Sequence, residues 1–334
     1  MTSKNDVAVI YLYCDEHARS QQNFENFVAT GLIHNVDFFV AGSKTNLSTA
    51  NYKRSNFKEI YVDDGEHEHQ KISRFYRDHV KKSDYQSVVV VSSTMSGPYS
   101  VQDSAQNWVQ RFTDRLTRET HLVGSSIVIM PSDHPLTTLQ NENNAAVGMA
   151  TYVPTSAFAL SREALDFLET KCFFDQEIPS CELSLQLFYE MRMSNLLLKN
   201  GWNVSCLLSK YSDIDFRSVK KDPNPTSWYG DPRRENSYFG GNISKQESVF
   251  IETPVFETGC STSNSERPDN IKLFGIFYDE KSRSAITNDF IPLDNSEGPK
   301  YLYESYPILR QLERTPPEKD TWLGFFSPKF SEKT

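Results

Sequence analysis

Over the first 130 residues short apolar runs alternate with polar stretches of helical period. This is the pattern of strands joined by crossover helices in an open α/β sheet. Val7 to Tyr13 predicts the first strand. Gln22 to Gly31 carries Phe24, Phe27 and Val28 at helical spacing and ends in glycine, so a helix is expected there, with Val36 to Ala41 as the second strand. Glu59 to Val62 predicts a short third strand, followed by a helix from His69 to Lys82. Val88 to Val91 is continuously apolar and β-branched, which predicts a central strand covered on both faces. Beyond the turn-rich segment Ser92 to Pro98, a helix is expected from Trp108 to Leu116 and a strand from His121 to Ile129. Tyr152 to Pro154 and Ala157 to Leu160 read as extended chain, and Ser161 caps a helix reaching Glu169. The longest helical pattern, Ser184 to Asn200, stops at Gly201 before a strand from Trp202 to Leu208.

The pattern lapses between Val255 and Asn270, where turn formers replace core formers. The expected organisation is a domain over residues 1–253, a linker over 254–270 and a C-terminal segment over 271–334 that opens with the strand-like Lys272 to Tyr278. So short and proline-interrupted a segment buries little core. It either packs on the first domain as an appendage or is the start of a truncated second domain, and the second reading is the expectation.

Charge and composition narrow the function. Lys plus Arg total 35 against 44 for Asp plus Glu, a net charge of -9, which argues against a nucleic-acid partner. The longest apolar run, Val7 to Cys14, is far short of the ~20 residues that cross a bilayer, and no signal-peptide cleavage site follows it. No membrane span and a cytoplasmic location are expected. Five scattered cysteines without a CxxC pair read as reduced thiols.

Open α/β sheets bind ligands outside the carboxyl ends of their strands, which directs attention to Tyr13-Cys14-Asp15-Glu16, Asp63-Asp64-Gly65 and Ser92-Ser93. Neither GxGxxG nor GxxxxGK[ST] is present, so dinucleotide oxidoreductases and P-loop nucleotidases lack their phosphate cradle. The hydroxyls of Ser92 and Ser93 either meet sugar or phosphate oxygens or cap the next turn. His67 and His69 beside Glu66 and Glu68 have metal-ligand spacing, but the acidic, turn-like setting favours a solvated loop.

Three segments in order, Val91 to Pro98, Trp108 to Leu116 and His121 to Ile127, resemble the bacterial and viral polysaccharide glycosyltransferases of the rhamnan-synthesis group. Val91 departs from that family, which has asparagine there. Tyr189-Glu190-Met191-Arg192-Met193-Ser194, Tyr238-Phe239-Gly240 and Glu247 to Ile251 are similar to later segments of the same family, and the likeness spans residues 7 to 253. The resemblance implies a GT-A-like (Rossmann-like) α/β fold, an open, mainly parallel sheet flanked by helices with a C-terminal appendage. It also implies transfer of a sugar from a nucleotide-sugar donor to a polysaccharide or glycan acceptor. A non-catalytic carbohydrate- or nucleotide-binding α/β module is the alternative.

Carried onto this sequence, the resemblance and the position of the loops place donor binding at Tyr11, Tyr13, Asp15, Asp63, Arg74, Ser92 and Ser93, with His134 as an acceptor or phosphate contact. An inverting transfer needs a carboxylate base. Glu190 is the first candidate and Glu182 the second. GT-A enzymes commonly end the central strand in Asp-x-Asp, which holds a divalent metal (Mn or Mg). Here that strand ends in Ser92-Ser93, so no metal is predicted, and Asp213 and Asp215 are the fallback ligands.

Overall fold

Each apolar run becomes a strand where helices can cover it on both sides. The computed structural model describes residues 5–14, 19–42, 57–61, 67–99, 106–134, 136–137, 150–175, 185–219, 221–252, 271–284, 286, 290–296, 305–314 and 322–326. Two units divide the chain, Met1–Phe256 and Glu257–Thr334.

In the first unit β1 (Val7–Leu12), β2 (Asp37–Gly42), β3 (Phe57–Tyr61), β4 (Ser87–Ser92), β6 (Thr120–Gly124), β9 (Ala157–Ser161) and β10 (Asn203–Cys206) form one sheet in the order β10-β6-β9-β4-β1-β2-β3, while β5 (Met95–Ser96), β7 (Val128–Met130), β8 (Ala150–Tyr152) and β11 (Ile251–Glu252) pair outside it. Only β9 runs against the others. The mainly parallel α/β sheet expected from the sequence is therefore present. β4 lies between β1 and β9, and Val88 to Val91 are all at most 2% exposed, as their uniform apolar character requires.

Helix α1 (Ser20–Gly31) lays Phe24, Phe27 and Val28 on the face formed by Val9, Tyr11 and Val40, and α3 (Trp108–Thr113) joins it there through Trp108 and Phe112. On the opposite face α2 (Glu68–Phe75) and its π-helical continuation Tyr76–Val80 cover Ile10, Phe39 and Val90. Helix α4 (Arg162–Thr170), capped by Ser161 Oγ accepting from Ala164 N at 3.1 Å, packs on that face too. So does α5 (Arg192–Lys199), which follows a π-helical segment, Gln186–Met191. No helix among the described residues is long and apolar enough to cross a membrane.

One expected strand is divided. His121 to Ile129 breaks after Gly124, where a Cβ would lie 2.4 Å from Ser126 O and 2.5 Å from a Val153 methyl, so the chain turns in a space only glycine fits. β6 stays in the main sheet, while β7 pairs with β8 in a separate ribbon. The second unit is a three-stranded parallel sheet, β13-β12-β14, of β12 (Ile271–Phe277), β13 (Ile291–Asp294) and β14 (Trp322–Phe326). Its connections carry the helices Glu280–Ser284 and Ser305–Arg314. The expected linker over 254–270 lies outside the described residues.

Candidate functional site

The chain leaves β1 for β2 and β3 on one side, then returns to β4 on the other. The crevice between the carboxyl ends of β1 and β4 is thus the topological switch point, where open α/β sheets take their ligands. Its two loops are tied together. Ser93 Oγ accepts from Cys14 N at 3.1 Å and lies 3.1 Å from Ser20 Oγ, and Asn23 Nδ2 donates to Ser93 O at 2.8 Å. Lys71 Nζ, on α2, donates to Tyr13 O at 2.8 Å, and Ser92 Oγ donates to Glu68 at the start of the same helix. Thr94 N and Thr94 Oγ1 donate back to Ser92 Oγ at 3.2 and 3.0 Å.

Three carboxylates gather beside this junction. Glu68 stands in the first turn of α2, and Glu190 in the π-helical segment Gln186–Met191. Glu252 is brought in by the antiparallel pairing of β11 with β5, which sets it opposite Met95, three residues past Ser92. Thr155 donates to Glu190 Oε1 from its backbone N at 2.9 Å and from Oγ1 at 2.8 Å. Arg233 binds Asp231 through Nε at 3.0 Å and Nη2 at 2.9 Å, and its Nη1 lies 3.3 Å from Glu252 Oε2.

Burial dominates the electrostatics. It pushes the Glu68 carboxyl up to about 6, against the Ser92 hydrogen bond and the Lys71 charge, with the negative charges of Glu190 and Glu252 adding to the rise. Burial also raises Glu190, although the two Thr155 bonds and Arg233 favour its ionised form. His69, next to Glu68, is pushed down to about 4 by burial and then by the charge of His67, so it is neutral at neutral pH. The result is a partly buried pair of carboxyls whose proton affinity is above that of a solvated glutamate. Such groups can accept a proton from a hydroxyl held between them and the sheet edge.

Several residues expected in the site are placed differently. Tyr11 is fully buried, its ring 5.3 Å from Phe24 and 4.6 Å from Phe27, so it fills the core instead of meeting a donor. Tyr13 is also buried, with its hydroxyl donating to Gln21 Oε1 at 3.1 Å. Ser92 and Ser93 lie at the switch point, where both are at most 1% exposed and their hydroxyls bind the protein itself. Arg74 is partly buried in the last turn of α2. His134 meets the Tyr229 ring at 5.9 Å. Asp15, Asp63 and Glu182 lie outside the described residues.

Asp213 and Asp215 belong to the opposite edge of the sheet. Asn203, which opens β10, donates to Ile214 O at 3.3 Å and accepts from Phe216 N at 2.9 Å, folding their loop back to the amino ends of β6 and β10. Arg217 grips the Asp215 carboxylate at 2.8 Å through both Nε and Nη2. That pair cannot serve the switch-point crevice. Among the described residues, no group of three or more His, Cys, Asp or Glu side chains has the arrangement to hold a metal ion.

Sequence reasoning missed Glu68, Lys71, Arg233 and Glu252. Glu68 was expected in a solvated loop with His67 and His69. Instead α2 begins at Glu68, whose carboxylate accepts from Ser92 Oγ, and His69 is buried. Its spacing from Ile72 and Phe75, i+4 and i+7 on one helix face, was the available signal.

No protein-family model and no curated protein matches the chain. Solved structures overlap it in part. A mannosyltransferase from Pyrobaculum calidifontis, in complex with GDP-Man and Mn²⁺, is 13% identical with a TM-score of 0.35; the match covers 61% of this chain and 55% of that one. The 4-diphosphocytidyl-2C-methyl-D-erythritol synthase of Anaerococcus prevotii is 11% identical with a TM-score of 0.37, over 64% of this chain and 92% of its own. A glycosyltransferase involved in glycosylation of the major capsid of PBCV-1 is 10% identical with a TM-score of 0.30, over 55% of this chain and 74% of its own. These overlaps are distant, and the chemistry of the site rests on its own residues.

Proposed function

We propose that the protein is a glycosyltransferase that moves a sugar from a nucleotide-sugar donor to a growing polysaccharide or glycan acceptor, with Glu190 as general base. The observation that carries this reading is the Glu190 carboxylate. It stands partly buried beside the carboxyl edge of the switch point, oriented by two hydrogen bonds from Thr155 to Oε1 and with its proton affinity raised by burial. In the reaction the acceptor hydroxyl gives its proton to Glu190 as its oxygen bonds to the anomeric carbon. The bond from that carbon to the donor phosphate breaks, and the nucleoside diphosphate leaves with the electron pair. Arg233 lies on the ionised side of this balance, since its charge favours the carboxylate form of Glu190.

The GT-A class often recruits a divalent metal through Asp-x-Asp. Among the described residues none at the carboxyl edge fits that group: Ser92 and Ser93 have their hydroxyls committed, and Asp213 and Asp215 are at the far edge.

The test is release of nucleoside diphosphate from UDP-, GDP-, dTDP- and CDP-sugars with saccharide acceptors. Glu190→Gln keeps size and hydrogen bonding, so turnover should fall by about 10² to 10⁴ while the thermal shift produced by donor is retained. Full turnover in that variant would sink the assignment. Donor binding without any release would favour the non-catalytic module, and a product of retained anomeric configuration, read by NMR, would remove the need for a base on the acceptor side.

A further inference from the structure

Trp228 and Tyr229 are 54% and 60% exposed, the most exposed aromatic side chains among the described residues. They stand on a tight turn closed by Trp228 and Asp231, which exchange backbone hydrogen bonds at 3.1 and 3.0 Å. Both central residues have positive φ, 51° at Tyr229 and 87° at Gly230, the signature of a type I′ turn. Tyrosine is a poor choice for that conformation, and a strained residue on an exposed tip points to a use for its ring.

The turn is seated, not loose. Ile129 N donates to Gly230 O at 2.9 Å, and a Cβ on Gly230 would lie 2.0 Å from Ile129 O, so only glycine permits this contact with β7. β7 pairs with β8, where Tyr152 OH accepts from Gln186 Nε2 at 2.8 Å, in the π-helical segment that carries Glu190. At the other end of the turn Asp231 binds Arg233, which reaches Glu252. One compact set of contacts thus links the exposed rings to the carboxylate site.

The two rings are perpendicular at 87° with centroids 5.1 Å apart. Arg234 lies over Trp228 at 5.1 Å, and His134 meets Tyr229 edge-on at 5.9 Å. Rigid rings bordered by planar polar groups suit a pyranose chain, whose C–H faces stack on aromatics while its hydroxyls take hydrogen bonds from the border. Two rings amid Asp231, Arg233, Arg234 and Glu235 offer too little continuous apolar surface for a helix or a lipid.

We propose that Trp228 and Tyr229 form the stacking platform for the saccharide acceptor, with His134 and Arg234 at its border. The assignment of that saccharide as acceptor rests on the transferase reading; the stacking does not.

The probes are mannan, galactan, dextran and rhamnan, each cast in native gels through which the full chain is run. At least one should retard the wild-type protein. Trp228→Ala and Tyr229→Ala should weaken that retardation by roughly tenfold, while Trp228→Phe, which keeps a ring, retains most of it. With the same saccharide as acceptor, Trp228→Ala should raise KM and leave kcat. Melting temperatures near that of the wild type establish that these exposed substitutions leave the fold intact. No retardation of the wild-type protein in any gel overturns the platform, as does equal retardation of wild type and Trp228→Ala. A change of sedimentation coefficient in Trp228→Ala with retardation unaltered overturns it in favour of a contact between copies. Ring-dependent retardation without turnover keeps the platform and removes the transferase. Turnover whose acceptor KM is indifferent to Trp228 does the reverse.

Discussion

Replacing Glu68 by glutamine should stabilise the protein at neutral pH and leave it unchanged in acid. The carboxyl is raised from 4.5 to about 6, chiefly by burial. Ser92 and Lys71 oppose the rise from β4 and from its own helix, and Glu190 and Glu252 reinforce it from the π-helical segment and β11. Below about pH 4.5 the group is protonated in both the folded and the unfolded chain and carries no penalty. Between there and about pH 6 the unfolded chain releases the proton first, so native stability falls as pH rises. Above about pH 6 the whole cost is present, and a rise of this size corresponds to about 2 kcal/mol. Glutamine mimics the protonated form and still accepts from Ser92 Oγ. The variant should therefore exceed the wild type by about 2 kcal/mol at pH 7.5 or so and match it near pH 4. Urea unfolding across that range, followed by the fluorescence of Trp108 and Trp202 in the first unit, measures the difference. A variant less stable than the wild type at neutral pH would refute the reasoning. It would mean that the pairing with Lys71 and Ser92 outweighs desolvation.

If Glu190 is the base, the acid limb of kcat should lie above the ordinary glutamate value of 4.5, because burial raises this carboxyl and the base works only when ionised; a limb at or below it would count against Glu190. Gly230→Ala should lower stability by at least about 2 kcal/mol in thermal or urea unfolding, since its Cβ meets the Ile129 carbonyl and no flexible side chain can give way. Ser93→Ala should cost about 1 to 3 kcal/mol, because Cys14 N loses its acceptor in a buried junction; an unchanged melting temperature would show that the loops are held otherwise. Turnover should survive EDTA, and Asp215→Asn should leave it intact, because Arg217 holds that carboxylate at the amino edge of the sheet. Loss on chelation with rescue by Mn²⁺ would overturn this.

The sheet was legible because burial on two faces leaves a local trace. Val88 to Val91 could only be a central strand, and Phe24, Phe27 and Val28 could only present one helical face to it. Where two buried strands follow each other, that trace is silent. His121 to Ile129 has apolar residues on either side of Gly124-Ser125-Ser126, and its halves serve different sheets; how sharply the chain breaks there is set by the crowding of Gly124 against Val153, far along the chain. Glu190 is singled out in the sequence by its motif, not by any periodicity. Its partners could not be found in that way. Glu68, Arg233 and Glu252 come from a helix, a turn and a short strand that only the tertiary fold brings together. A carboxylate's proton affinity depends on what is within a few ångströms of it in space, and polar neighbours in sequence made Glu68 look solvated when the fold sets it against Ser92 and near Glu190. The serines show the same division: the sequence by itself determined that they end the central strand at the switch point, and the packing of α1 and α2 decided that their hydroxyls turn inward to fasten the loops.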